Sequence, residues 1–81
     1  MAYLKKLKFN KDNIRSVTVE LTVQEAIYLA LLAGKQTGAA ADAILPNHGA
    51  DANAEVYEVL TGLVFNRYFD DGVKEAARNL A

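Results

Sequence analysis

Few side chains of this 81-residue chain have the chemistry of a nucleophile, a general base or a soft-metal ligand. The chain has one histidine, His48, one serine, Ser16, and no cysteine. A nucleophilic site needs a base and an orienting group within reach of the nucleophile, and this sequence barely contains those parts. The sequence therefore predicts a protein that is not an enzyme.

Carboxylates could form either an acid–base pair or a metal site in this chain. Asp70 and Asp71 are adjacent, and paired carboxylates can share acid and base roles or hold a hard cation. Asp71 also stands where it would cap a following helix, which explains the pair more simply. His48 with Asp42 and Asp51 has no recognised metal-ligand spacing. We therefore expect neither a metal nor another cofactor.

The element around which the chain is organised is an apolar helix. Thr22 followed by Glu25 is a capping box, which predicts a helix that begins at Val23. Residues 26–33 are all apolar or tyrosine, a wider apolar surface than one ordinary helix stripe. The helix must be covered on more than one side, by the preceding strands, by a following helix or by a second copy. It is too short to cross a bilayer, which takes about 20 apolar residues, and we expect no membrane partner.

Two strands precede this helix. Val17, Val19 and Leu21 alternate with polar residues, which is the pattern of a strand with one apolar face. Residues 3–9 predict a second strand, and the turn formers at 10–13 connect the two. The sequence therefore predicts an antiparallel hairpin, and we expect the long helix to lie across its apolar face.

The remaining sequence predicts helices of unequal length. A short helix covers 39–45, and an irregular loop follows at 44–53. Asp51 or Asn53 would cap a second main helix to about residue 69, with a core stripe of Val56, Tyr57, Leu60, Leu63 and Val64. Gly62 within it would mark either a close helix contact or a tolerated surface glycine. A last short helix follows Asp71. The predicted fold is a single α+β domain spanning 1–81, with an N-terminal β-hairpin packed against two main helices, and a dimer.

Charge is unevenly distributed along the chain. Residues 1–15 hold five bases and one acid, a net +4, whereas the remainder holds four bases and nine acids, a net −5. This asymmetry favours an anionic partner for the N-terminal strand or a head-to-tail contact between copies. Lysines that protect an exposed strand edge from aggregation are the simpler explanation, and the one that we favour.

Residues 14–38 resemble the opening of a ribbon-helix-helix protein, with an alternating strand, a Thr-capped helix and a glycine-containing turn. Residues 54–69 resemble the second helix of that family. The resemblance implies that two chains pair their strands into a ribbon whose outward residues, here Ser16, Thr18 and Glu20, enter the DNA major groove. With the preceding basic strand, the candidate nucleic-acid contacts are Lys6, Lys8, Arg15 and Thr18.

In its overall style the chain is also similar to small accessory proteins of bacteriophages. That resemblance implies a location in the bacterial host cytoplasm and a role exerted by binding a host or phage protein. The absence of cysteine suits a reducing cytoplasm.

The sequence as a whole favours a non-enzymatic protein-interaction module that forms a homodimer and binds a further protein. Aromatic residues are favoured at interface centres. The candidate interface residues are Tyr28, Leu32, Phe65, Tyr68 and Phe69. The alternative is a DNA-binding regulator of the ribbon-helix-helix kind.

Overall fold

The computed structural model describes residues 1–80, which form an N-terminal β-hairpin followed by helices. This architecture confirms the predicted α+β class. The elements are β1 (Tyr3–Asn10), β2 (Asn13–Glu20), α1 (Val23–Gly34), α2 (Gly38–Ile44), α3 (Gly49–Glu58), α4 (Asn66–Tyr68) and α5 (Gly72–Arg78). The chain stays helical between α3 and α4 as a π-helical segment, Val59–Phe65.

The hairpin has a tighter turn than the sequence predicts. β1 and β2 pair antiparallel as far as Asn10 and Asn13, so only Lys11 and Asp12 form the turn. Lys11 has a φ of 57°, a left-handed conformation that tight hairpin turns require.

Each strand carries one β-bulge, and together the bulges collect the apolar residues on one face. Leu4 and Leu7 are three residues apart, which would place them on opposite faces of a regular strand. The register runs from Leu4 opposite Val19 to Lys6 opposite Thr18, so Lys5 is an extra residue. One extra residue restores the alternation.

Arg15 is the matching extra residue of β2, between Ile14 and Ser16. Directly opposed residues share a face, so the register defines two sides of the hairpin. The apolar face consists of Leu4, Leu7, Phe9, Ile14, Val17 and Val19. The polar face consists of Tyr3, Lys6, Lys8, Ser16, Thr18 and Glu20.

The predicted capping box joins the hairpin to α1. The Glu25 N–H donates to Thr22 Oγ1 at 3.2 Å, and the Thr22 N–H donates to Glu25 Oε1 at 2.8 Å. The second carboxylate oxygen of Glu25 accepts from the Ala2 N–H at 2.8 Å. Hydrogen bonds from the backbone of Thr22, and secondarily of Ala2, hold the pKa of Glu25 below its ordinary value. One carboxylate therefore fastens the bases of both strands to the first turn of α1.

The main core lies where α1, the π-helical segment and α5 meet. Phe65 is 1% exposed and packs with Ile27, Ala30 and Ala76. Phe69 packs against this cluster, with its ring centroid 6.3 Å from that of Phe65. Among the described residues, four of the six buried hydrophobic ones are alanines, so the core is small even for a chain of this length.

The second main helix begins earlier than predicted. α3 starts at Gly49, so residues 49–53 are helical rather than part of a loop. Neither Asp51 nor Asn53 caps it, because both lie within the helix. Asp42 of α2 instead accepts from the Ala50 N–H at 2.9 Å. Asn53 instead donates through Nδ2 to the carbonyl of Ala33 at 2.9 Å, which ties α3 to the end of α1.

Two glycines of this region have different surroundings. A Cβ atom at Gly49 would collide with the carbonyl oxygen of Ala41, so α2 and α3 approach through bare backbone. A Cβ atom at Gly62 would meet nothing within 4 Å, so Gly62 is a surface glycine and no helix approaches it.

The expected packing of the long helix across the hairpin is wrong. Within residues 1–80, no helix packs on either face of the two strands. Leu21 and the helix cap Thr22 are the only residues between β2 and α1. The radius of gyration is 14.2 Å, compared with about 12 Å for a compact domain of this length. The hairpin is therefore an arm that projects from a helical body.

Candidate functional site

The apolar face of the hairpin is the most unusual surface of the molecule. Five of its six residues are exposed, from 48% for Val19 to 61% for Phe9, and only Leu7 is half-buried. A two-stranded hairpin alone is marginally stable in water, and it gains stability when another layer covers its apolar face. Monomeric proteins rarely expose contiguous apolar patches of this kind. The face therefore has the properties of one side of an interface.

The total surface of the chain supports this interpretation. The accessible area is 6405 Å², whereas a compact monomer of 8.8 kDa exposes about 4,800 Å². The excess of roughly 1,600 Å² equals the area that a standard protein–protein interface buries in total. Exposed hydrophobic residues of the arm and of the helices both contribute to this excess, for example Phe9 at 61% and Ile44 at 75% exposed.

A second apolar surface lies on the helical body. A groove with a volume of about 260 Å³ runs between α1, α2 and α3. Because a cavity of about 150 Å³ accepts benzene, this groove has room for one or two large side chains. We refer to it as the helical groove, and its principal lining residues are Leu29, Leu32, Ala41, Ile44, Leu45 and Val56. Within residues 1–80, the polar residues that line it are Gln36 and Asn53, and the Asn53 amide is already bonded to Ala33.

Net charge differs between the arm and the segment that contains α2 and α3. Residues 1–20 hold five bases and two acids, a net +3. Residues 36–66, which include α2, α3 and most of the groove, hold four acids and neither lysine nor arginine. These acids are Asp42, Asp51, Glu55 and Glu58. Glu55 and Glu58 line a separate depression with Gly62 rather than the groove, and Lys35 directly precedes this segment.

The predicted protein-interface residues do not form one surface. Phe65 is the centre of the core and Phe69 is partly buried against it, so the assignment of Phe65 to an accessible interface is wrong. Tyr28, Leu32 and Tyr68 are exposed. Leu32 lines the helical groove, whereas Tyr28 lines a separate depression beside Val23 and Leu80. Tyr68 lines neither and lies beside the guanidinium of Arg67.

The π-helical segment explains why Phe65 was misassigned. The predicted stripe assumes 3.6 residues per turn, but hydrogen bonds in a π-helix join residues five apart. Leu60 and Phe65, five residues apart, both face the core, whereas Leu63 is 63% exposed. The core face in this segment is therefore shifted away from the α-helical stripe. No feature of the local sequence indicates that shift.

Three of the four predicted nucleic-acid contacts come together on the polar face of the arm. Lys6 lies opposite Thr18, and Lys8 is the next outward residue of β1. Arg15 is the bulge residue of β2. Glu20 is the acid on this face; it accepts a hydrogen bond from the Tyr3 hydroxyl and lies 3.6 Å from the Lys5 ammonium.

The residues considered for catalysis or metal binding lie apart from one another. His48 is the N-cap residue of α3, without a side-chain cap. The Asp71 carboxylate pairs with Arg78 at 3.0 Å rather than capping α5. Among residues 1–80, no three histidine, aspartate or glutamate side chains are grouped as a metal site requires. None of the helices in that range combines the length and apolar character needed to span a bilayer.

Comparison of the chain with protein families, curated proteins and solved structures finds no match. The resemblances to ribbon-helix-helix proteins and to bacteriophage accessory proteins therefore stay predictions. Function has to be inferred from the arm and the helical body themselves.

Proposed function

We propose that this protein is a non-catalytic protein-interaction module that binds through the apolar face of its hairpin arm. The observation that carries the proposal is that six apolar side chains share one face of a two-stranded hairpin and no helix of the described chain covers it. Burial of apolar area is the dominant driving force of association. The arm is built to present this face, since both bulges remove a charged residue from the alternation.

Two features at the base of the arm are consistent with an accessible apolar face. Glu25 fixes the base of the arm to the first turn of α1. Leu21 and Thr22 connect β2 to α1, and no helix among residues 1–80 packs on the arm. An arm held in this way meets a partner without first separating from the body.

The test compares isosteric substitutions on the two faces of β2. Val17→Thr with Val19→Thr places hydroxyls in the proposed contact while keeping the β-branched shape that strands favour. Thr18→Val is the control, because it exchanges the same two side chains, valine and threonine, at a neighbouring position on the polar face. Tagged wild type and variants are used to capture proteins from bacterial lysate, the source that the phage resemblance indicates, after nuclease treatment.

We expect wild type and Thr18→Val to retain the same protein in near-stoichiometric amount, and the doubly substituted arm to lose it. The circular dichroism of the helices should be the same for all three proteins. If the Val17→Thr and Val19→Thr chain retains its protein undiminished, the apolar face is not the binding surface and the proposal fails.

The polar face favours a second candidate function, binding of nucleic acid. An antiparallel two-stranded ribbon fits the major groove of DNA, and this arm presents Lys6, Lys8 and Thr18 together on an uncovered face. Lys5, Lys11 and Arg15 add positive charge along it. In this function the chain is a DNA-binding regulator that uses the arm as its reading element.

Salt dependence separates the two functions. Phosphate contacts make the affinity for DNA fall steeply with salt, with a slope of about one per phosphate neutralised. If the arm binds DNA, Lys6→Glu with Lys8→Glu should abolish binding, and Val17→Thr with Val19→Thr should leave it intact. Association through the apolar face should show the reverse dependence on these variants.

A further inference from the structure

We infer that two copies of this chain pair antiparallel along the exposed side of the helical stretch from α3 to α4, with their closest approach at Gly62. We refer to this surface as the outer helix face. The contact uses the helical body rather than the arm, so the inference goes beyond the proposed function. The residues of the outer helix face are Glu55, Glu58, Val59, Gly62, Leu63 and Arg67.

Five of these residues line one depression. They are Glu55, Glu58, Val59, Gly62 and Leu63. All five are exposed, and the exposed fractions of Val59 and Leu63 are 51% and 63%. Single exposed apolar side chains are common on protein surfaces. Here two of them lie in the same depression as a glycine, which together form a short apolar strip with acids at one end.

Arg67 continues the same side of the helix beyond this depression. Leu63 and Arg67 each lie two residues from Phe65, which is buried in the core. Two residues are about half of a helical turn, so both positions lie on the side away from the core, and Arg67 is exposed. Within residues 1–80, none of Glu55, Glu58 and Arg67 forms an ion pair.

Gly62 provides a point of close approach on this face. Glycine within a helix costs about 1 kcal/mol relative to alanine. A Cβ atom at Gly62 would meet nothing within 4 Å, and its φ is not positive. No packing contact or backbone angle among the described residues therefore requires glycine here. A second helix that crosses at this position would require it, because a bare backbone lets two helices approach closely.

The order of charges along the face selects an antiparallel second copy. Residues at equal distances before and after the crossing point face each other when two antiparallel helices are related by a two-fold axis. Glu58 lies four residues before Gly62, and Arg67 lies five residues after it. Each Glu58 carboxylate would therefore meet the Arg67 guanidinium of the other copy, and the symmetry forms this pair twice. A parallel pair would instead oppose Glu58 to Glu58.

Charge reversal tests this arrangement, because the geometry predicts which altered chains fit each other. Chains that carry Glu58→Arg or Arg67→Glu are studied by sedimentation equilibrium, each alone and as an equimolar mixture, at concentrations up to about 1 mM. The matched controls are Asp70→Arg and Lys74→Glu, which reverse exposed charges outside the outer helix face. Circular dichroism checks that every chain keeps its helices.

We expect the natural chain and both controls to form the same reversible dimer. Each single reversal should weaken it about tenfold, because the symmetry places two like-charged pairs in the contact. The mixture should recover the affinity as a heterodimer, since both of its pairs again join opposite charges. Gly62→Gln should abolish the dimer and leave the dilute monomer folded, because glutamine is a better helix former than glycine.

A natural chain that stays monomeric at every concentration would overturn the inference. Reversed chains that dimerise undiminished, or a mixture that does not recover, would overturn the antiparallel pairing at this face. Either result leaves the proposed function of the arm to be decided by the capture experiment.

Discussion

Replacing Phe65 with alanine tests whether this residue stabilises the core or contacts a partner. Phe65 is 1% exposed among Ile27, Ala30 and Ala76, and truncation of a buried phenylalanine costs about 3–5 kcal/mol. That cost includes loss of the tilted contact with Phe69, which contributes about 0.5–1.5 kcal/mol beyond burial. A domain of this length has a total stability of only about 4–12 kcal/mol. We therefore expect Phe65→Ala to unfold much of the protein.

Urea unfolding followed by far-ultraviolet circular dichroism measures the effect. Tyr68→Ala is the matched control, because Tyr68 is an aromatic residue three positions later that is 70% exposed; its loss should cost less than about 1 kcal/mol. Phe65→Leu, expected to cost roughly 1–2 kcal/mol, gives a measurable value if Phe65→Ala does not fold. If Phe65→Ala costs no more than Tyr68→Ala and instead abolishes association, Phe65 is a contact residue and the account of the core is wrong.

Three further predictions concern the supports of the arm and the helices. Thr22→Ala should cost about 1 kcal/mol of unfolding free energy in a urea titration, because α1 loses its N-cap. Because the pKa of Glu25 is lowered in the folded state, its carboxylate stabilises the fold above about pH 4.5, and this stabilisation is lost as the pH falls through the pKa of the folded state. Glu25→Gln should therefore make the unfolding free energy depend less on pH in this acidic range. An unchanged dependence on pH would contradict this role of Glu25. Gly49→Ala should lower the melting temperature, since overpacking costs about 1–3 kcal/mol against the Ala41 carbonyl. The matched change Gly62→Ala should raise the melting temperature, because alanine stabilises a helix by up to about 1 kcal/mol relative to glycine. If Gly62→Ala lowered the melting temperature and Gly49→Ala raised it, the close packing of α2 on α3 would be refuted.

Local signals in the sequence predicted the hairpin and the start of α1. Thr22 and Glu25 are three residues apart, so their reciprocal hydrogen bonds form within one helical turn whatever lies elsewhere. The alternation of Val17 and Val19 with polar residues likewise indicates a strand with one apolar face and one polar face. These features depend on neighbours in sequence, which is why pattern alone identified them.

Features set by distant contacts were not predictable in the same way. Asp42 caps α3 from a different helix, although Asp51 and Asn53 are closer to the predicted start. The π-helical segment shifts Phe65 into the core, against the 3.6-residue stripe. The apolar pattern of the hairpin indicated that one face requires a cover, but alternation contains no information on what covers it. The sequence placed the interface at residues of the helices and expected the long helix to cover the hairpin, so the arm face was identified as a candidate site only from the structure.

The arm gives a direct measure of the central claim, that its apolar face is one side of an interface. Hydrogen exchange of the β1 and β2 amides is followed at high and low protein concentration and with any captured protein bound, with the α1 amides as an internal reference. We predict weak protection of the arm in the dilute chain and strong protection once the face is covered, while α1 changes little. Arm amides that are protected as strongly as those of α1 at the lowest concentration would show that the hairpin is stable with its face uncovered, and would contradict the claim.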